Sequence, residues 1–518
     1  MRTRPLPRRH PPRRRARRAV LAALLPVLVV AGCTVGPSTR PAVVQNDAPV
    51  PADGGTGESR QPLPPLGEPG PSSLDWSDCA ADTRQRLGGT ARPDVAVECA
   101  YLTTTLDPPG MPGQGLSRMA VLKAGSGPVP LVVVNDVDGL PGTLYAAQLA
   151  ATLPDELLER FSLIGVDRRG TGGSDAVRCI PSGERATLLD SDPAAGIERP
   201  LDAARTAGQQ CAIALEDEQG ALDSERTTSD LDTLREHLGM DRLHALGHGE
   251  GSRVLAMYSA RFPGKTGRMV LDGMPDPSDD QAGVLGGVAH GAEATLDAAG
   301  EQLGRDLRAD VTALTERLGR TAPLTSDGYR LTPQLALRAV LSGLADRDRW
   351  SDLAGAVAAA RSGDPNPLFR FVRPHIVEDQ ASAARLDGTI ATRCNDTTTR
   401  LPADRLASTA RELARDHPVF GATVAQELVW CSPWPTRSGD SGEIASDQAP
   451  PIVVVSTETD PVTPGKGTVR AADQMPSAVH VSWKGAGHGA LSSACVTGAV
   501  HSFLVDGDVP RDGTLCPA

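Results

Sequence analysis

The chain has 518 residues, 40% of them apolar and 3% aromatic, with a formal net charge of −12. That length admits one large α/β domain with an insertion, or two to three average domains. Nine arginines and no acid fall in the first thirty-three residues, so removing them takes the formal charge from −12 to −21; such a surface repels nucleic acid and anionic headgroups and argues against nucleic-acid binding.

The N-terminal stretch "MRTRPLPRRHPPRRRARRAV" is followed by the apolar run "LAALLPVLVVAGC". The run has signal-peptide length and is short for a bilayer span. It ends Val30-Ala31-Gly32-Cys33, which resembles the bacterial lipobox, so residues 1–33 are expected to be a lipoprotein signal peptide with Cys33 as the lipidated mature N-terminus. An ordinary signal peptide with a chance cysteine is the plain alternative, and Arg17-Arg18 leaves twin-arginine export open. Membrane attachment on the outer face of the cell is then expected to come from acyl chains rather than a basic patch. Residues 34–74, rich in Pro, Gly and Ser and without apolar periodicity, read as a disordered tether.

Eight cysteines remain beyond Cys33: Cys79, Cys99, Cys179, Cys211, Cys394, Cys431, Cys495 and Cys516. An even number in an exported chain predicts disulfides. Pairing of sequence neighbours (79–99, 179–211, 394–431, 495–516) closes the shortest loops and is the expected connectivity. No two stand close enough in sequence to suggest a zinc site.

From Trp76 onward short apolar strands alternate with helical segments. Strands are expected at 130–135, 161–167, 242–247, 268–273, 451–456 and 478–483, with helices at 143–153, 228–239, 251–262, 466–475 and 491–504. That alternation predicts an α/β fold with a mainly parallel central sheet and flanking helices. Between the fourth and fifth of these strands, segments such as "PQLALRAVLSGLADRDRWSDLAGAVAAARSG" carry apolar residues at helical spacing. They predict a helical cap over 278–390, splitting a core of 75–277 and 391–518. A cap there covers the C-terminal strand ends, where open α/β sheets place their sites.

The stretch "ALGHGEGSRVLAMYSARFP" has the parts of a nucleophile elbow: an incoming strand, crowding-tolerant glycines and an amphipathic helix. A glycine-rich strand–turn–helix is equally compatible with a phosphate loop, but no Gly-Lys-Ser/Thr follows and the glycine spacing fits a dinucleotide fingerprint poorly. Downstream, Asp460 in "STETDPVTP" and His488 in "KGAGHGAL" each follow an apolar strand. Elbow, acid and histidine in that order match the α/β-hydrolase arrangement, in which the acid orients the histidine and the histidine takes the nucleophile's proton.

With these motifs and "FSLIGVDRRGTGGSD", "TTSDLDTLREHLG", "GRMVLDGMPDP" and "CVTGAVHSFLVDGDVPRDGTLC", the chain resembles the secreted tripeptidyl aminopeptidases of actinobacteria from about Trp76 to Cys516. It is more distantly similar to the proline iminopeptidases. The resemblance implies an α/β-hydrolase fold with a helical cap, and a serine peptidase acting near a free N-terminus. It places Asp460 on the family's acid, His488 on its base and Gly249 on its nucleophile, where no hydroxyl is present. A second departure lies in "NDVDGLPGTLY", where active relatives carry a Gly-Gly-Pro-Gly-Gly run. Gly139 and the residue after the elbow, Glu250, fall on the oxyanion loop, while Asp136 and Asp138 bring negative charge that opposes an oxyanion.

Three readings follow. The chain is a lipoprotein that keeps a cleft for peptides or small acyl or amide compounds with catalysis lost or weak, or an active hydrolase using Ser252 or a water activated by His488 and Asp460. The third is a non-catalytic envelope interaction protein. His248 beside the turn could reach a ligand, and no metal or organic cofactor is implied.

Overall fold

The computed structural model describes residues 61–89, 91–106, 115–278, 280–379, 382–436 and 443–518. The expected signal peptide, Cys33 and most of the expected tether lie outside these residues.

Among the described residues ten strands form one sheet. In chain order they are β1 (Ser77–Asp78), β2 (Val97–Thr105), β3 (Leu116–Ala124), β4 (Val129–Val134), β5 (Phe161–Val166), β6 (Leu243–His248), β7 (Thr266–Asp272), β8 (Ile452–Thr459), β9 (Ala478–Ala486) and β10 (Thr514–Cys516). Their spatial order is β1-β2-β3-β5-β4-β6-β7-β8-β9-β10. The pairings from β5 through β10 are parallel, and β1, β2 and β3 add antiparallel partners at one side. This is the α/β-hydrolase fold.

The central strands are continuous apolar runs because helices cover both faces of the sheet. In β4, Leu131 and Val133 face one core with the helix Gly142–Leu149, while Val132 and Val134 face the other with the helices Ser224–His237 and Glu250–Arg261. Strands β4 through β9 match the six expected from sequence. Strands β1, β2, β3 and β10 were not foreseen; β2 alternates buried Leu102 and Thr104 with exposed Tyr101 and Thr103, a pattern rich in threonine rather than an apolar run.

The "DRRGTGGSD" stretch after β5 builds a scaffold. Asp167 accepts from the N–H groups of Thr143 (2.8 Å) and Gly173 (2.7 Å), while Arg169 makes a buried bidentate pair with Asp230. A Cβ at Gly172, whose φ is +52°, would run into the Asp167 carboxylate. The motif therefore locks the loop against the helix that starts at Gly142.

Helices inserted between β7 and β8 form the cap, which runs past the expected end at residue 390 to the helix Gln426–Cys431. The helices Arg385–Asp396, Ala403–Asp416 and Gln426–Cys431 bury Ile390, Leu406 and Trp430 in the cap's own apolar cluster. The helices Ser182–Asp190 and Glu198–Leu215, inserted after β5, join that cluster through Leu188 and Leu201. The eight cysteines form the expected disulfides, Cys79–Cys99, Cys179–Cys211, Cys394–Cys431 and Cys495–Cys516. Two of them staple the cap region. All four fit an oxidising compartment.

Candidate active site

Strand order reverses between β4 and β6: the chain crosses from β4 to β5 on one side and returns past β4 to β6 on the other. Ligand sites in open α/β sheets sit at such a switch point. The loop after β4 and the turn after β6 therefore meet at one corner, and the loops after β8 and β9 converge on it.

Gly249 occupies the turn between β6 and the helix Glu250–Arg261, with φ 56° and ψ −125°. That strained left-handed geometry is what a nucleophile elbow requires. Close approach explains its flanks: a Cβ at Gly247 would lie 2.6 Å from Ser252 Cα, and one at Gly251 would strike the carbonyl of Val134. The elbow is built as expected, and its outermost residue has no side chain.

The acid and the base also converge. His488 Nδ1 lies 3.0 Å from Asp460 Oδ2, and the Asp460 carboxylate accepts from the N–H groups of Val462 and Thr463, both at 2.7 Å. Asp460 is fully buried. Its hydrogen bonds hold the histidine ring in one orientation.

What His488 meets at its other nitrogen is a carboxylate. Nε2 lies 2.8 Å from Asp136 Oδ2, while Asp136 Oδ1 accepts from the Glu250 N–H at 2.8 Å. A Cβ placed on Gly249 would overlap the Asp136 carboxyl group. Asp136 thus takes both positions that acyl transfer needs, the seat of the nucleophile and the oxyanion donor after the elbow. Burial disfavours charge on Asp136, but the His488 charge and hydrogen bond, helped by His248 and the Glu250 N–H, hold its pKa well below the usual carboxylate range. Burial likewise opposes the imidazolium of His488, yet Asp460 and Asp136 outweigh it and raise that pKa well above 6.5.

The rest of the oxyanion loop is spoken for. Glu250 Oε2 accepts from the Val137 N–H at 3.0 Å, and the Gly139 N–H donates to the Asp136 carbonyl at 3.2 Å. Gly139 therefore closes a turn instead of offering an oxyanion donor, which corrects its expected role. Arg393 from the cap clamps the arrangement, with Nε 2.7 Å from Glu250 Oε1, Nη2 3.0 Å from Asp138 and Nη1 2.9 Å from Glu427. Burial, with Asp138 and Asp136 nearby, pushes the Glu250 pKa up against the pull of Arg393. Sequence reasoning placed negative charge near the hole but missed Asp136 as occupant and Arg393 as clamp.

Ser252 is not brought to the site. It is fully buried in the first turn of its helix, its Oγ has no hydrogen-bond partner among the described residues, and it does not line the cavity. That cavity, about 1550 Å³, lies between the strand ends and the cap, with Asp136, His248, Glu250 and His488 on its floor. His248 stacks on Tyr145 at 5.2 Å and reaches towards Asp136. Among the described residues, two trios bring potential metal ligands within 4.8 Å of one another: Asp136 with His248 and His488, and Asp136 with Asp138 and Glu250.

Fold and corner together give an α/β-hydrolase frame in which the Gly249 turn, Asp460 and His488 converge. Residues 417–516 match the family described as TAP-like protein. The chain is 24% identical to a tripeptidyl aminopeptidase of Streptomyces coelicolor over 86% of each chain. It is 24% identical to the serine protease Hip1 of Mycobacterium tuberculosis over 89% of this chain and 93% of that one. A carboxylesterase B of the same species is 27% identical, over 85% and 89%. Over these spans the chain is similar to TAP-like proteins of the α/β-hydrolase fold.

Proposed function

We propose that this protein is an exported lipoprotein, anchored through Cys33, whose cavity binds peptides or small acyl or amide compounds while serine-type acyl transfer is lost. One observation carries the reading: the Asp136 carboxylate fills the space over Gly249 and binds both His488 and the Glu250 N–H. An acyl adduct needs a nucleophile at that point and a free donor for its oxyanion, and neither is free here. A His488-activated water fits less well, since a histidine held protonated between two carboxylates is no base. The peptidase and protease names of the relatives support peptides as the ligand class.

The test is a fluorophosphonate probe applied to the purified full chain, alongside calorimetry with tripeptides bearing a free amine. No covalent labelling together with measurable peptide binding is expected. One label per chain would overturn the loss of acyl chemistry, and silence in calorimetry would overturn the retained cleft.

A further inference from the structure

We propose that Asp136, His248 and His488 form a binding site for a divalent transition-metal ion, with Zn²⁺ as the species that suits the donors. Two imidazoles and one carboxylate are a donor set for borderline cations, and such sites keep further coordination positions open when they face a cavity. All three residues line the cavity floor. Asp136 Oδ2 stands 2.8 Å from His488 Nε2 and 3.9 Å from His248 Nε2, and the two rings are 4.2 Å apart between centroids. Ligand atoms about 2.0 Å from a tetrahedral zinc lie roughly 3.3 Å from each other. The observed separations bracket that value, so small side-chain shifts admit the ion.

The backing of the two histidines is a second, independent observation. Metal-bound histidines characteristically donate their other ring N–H to a carboxylate, which fixes the tautomer and the ring. His488 turns Nδ1 to Asp460 at 3.0 Å, and His248 turns Nδ1 to Asp272 at 3.6 Å. Both carboxylates are buried. A plain ion pair between His488 and Asp136 explains the first arm and leaves the second without a role. His248 Nδ1 and Asp272 Oδ2 are both buried with no hydrogen-bond partner among the described residues. Coordination through His248 Nε2 places its proton on Nδ1, facing that oxygen.

Two glycines make the space. A Cβ at Gly489 would lie 2.6 Å from both His248 Cε1 and Asp272 Oδ2, and one at Gly249 would displace the Asp136 carboxylate. The trio with Asp138 and Glu250 is the weaker candidate, because Glu250 is already committed to Arg393 and the Val137 N–H. Binding exchanges the His488 Nε2 proton, released to solvent, for the metal bond. The site is independent of the proposed function, since a metal-free protein would still lack its nucleophile.

The experiment uses the untagged full chain, stripped with a chelator, dialysed and titrated with Zn²⁺ by calorimetry, with bound metal counted by atomic emission. One Zn²⁺ per chain is expected. Asp136→Asn and His248→Ala should each weaken it at least tenfold, and Asp272→Asn by about 10- to 100-fold. Co²⁺ in the unsubstituted protein should give the intense visible absorption of a low-coordinate, nitrogen-ligated site. Failure to take up stoichiometric Zn²⁺, or uptake indifferent to Asp136→Asn and His248→Ala, overturns the site. Should those variants misfold by circular dichroism, the Co²⁺ spectrum of the unsubstituted chain decides: a weak octahedral spectrum also overturns it.

Discussion

The two halves of the strand-end corner have diverged. On the β8–β9 side, Asp460 and His488 form a hydrogen-bonded pair, and the Asp460 carboxylate also accepts from the Val462 and Thr463 N–H groups. On the β4–β6 side, the outermost residue of the elbow turn is Gly249, and the Asp136 carboxylate occupies the space a side chain there would take. The difference follows from what each half leaves unpaired. Without a serine, the Glu250 N–H and His488 Nε2 would be buried donors with no acceptor, and such groups cost about 1–3 kcal/mol each. Asp136 satisfies both at once. Asp136 is therefore tied to both neighbours, so placing a serine at Gly249 alone does not build a working site.

Rebuilding the altered half tests directly whether Asp136 blocks it. Gly249→Ser alone places its Cβ inside the Asp136 carboxyl group and is expected to stay silent toward a fluorophosphonate. Gly249→Ser with Asp136→Gly removes the occupant, frees the Glu250 N–H and returns a hydroxyl to His488. Labelling at one per chain is expected, with ester hydrolysis rising roughly 10³-fold over the unsubstituted protein, below full activity because the Val137 N–H stays on Glu250. Equal labelling of the single and double variants would show that Asp136 does not block the seat.

A smaller effect tests whether the cap holds the altered half in place. Arg393→Met leaves Asp138, Glu250 and Glu427 facing one another without their shared cation. The four side chains are 18–32% exposed, so the loss is expected to fall below the roughly 3–5 kcal/mol of a fully buried pair, at about 1–3 kcal/mol. On the β8–β9 side the pair Lys484–Glu458 has both side chains about half exposed, and Lys484→Met should change stability by about 0–1 kcal/mol. Urea unfolding of the two variants measures the contrast. Equal losses would remove the clamp from the account.

How much of this was legible in the residues depends on distance along the chain. Strands β4 to β9 announce themselves because strands buried on both faces must be apolar throughout. The elbow, Asp460 and His488 were readable because each is local to a strand end, and the disulfides because each joins sequence neighbours. Strands β2 and β3 were missed because threonines fill several positions of β2 and β3 opens with exposed Leu116 and Arg118, so neither reads as a continuous apolar run. The cap's end was misplaced because helical periodicity alone does not tell a cap helix such as Ala403–Asp416 from a helix of the core; its buried Leu406 and Leu413 join the cap's apolar cluster. Asp136 was legible as a misplaced charge but not as an occupant: its role exists only where the β4 and β6 loops meet, and no spacing in the sequence encodes that meeting. Arg393 had no local signal at all.

A pH effect asks whether acid sensitivity belongs to the altered corner or to the strand that leads into it. His244 lies near the start of β6, buried, with Nδ1 accepting the Arg268 N–H at 3.0 Å. Burial, reinforced by Arg268, Arg242 and Arg160, lowers its pKa from 6.5 to about 4. The folded chain therefore resists a proton that the unfolded chain accepts below pH 6.5. This contribution to stability is complete above pH 6.5, falls as the pH drops towards 4 and levels off below that. The gap between the two values is worth about 3 kcal/mol. Asparagine supplies an acceptor for the Arg268 N–H but does not titrate there, so His244→Asn should flatten the urea-derived stability curve between pH 7 and 4.5 by about that amount, whatever its effect at pH 7. A curve equally steep in the variant would move the acid sensitivity off the strand and towards the carboxylates and histidines at its end.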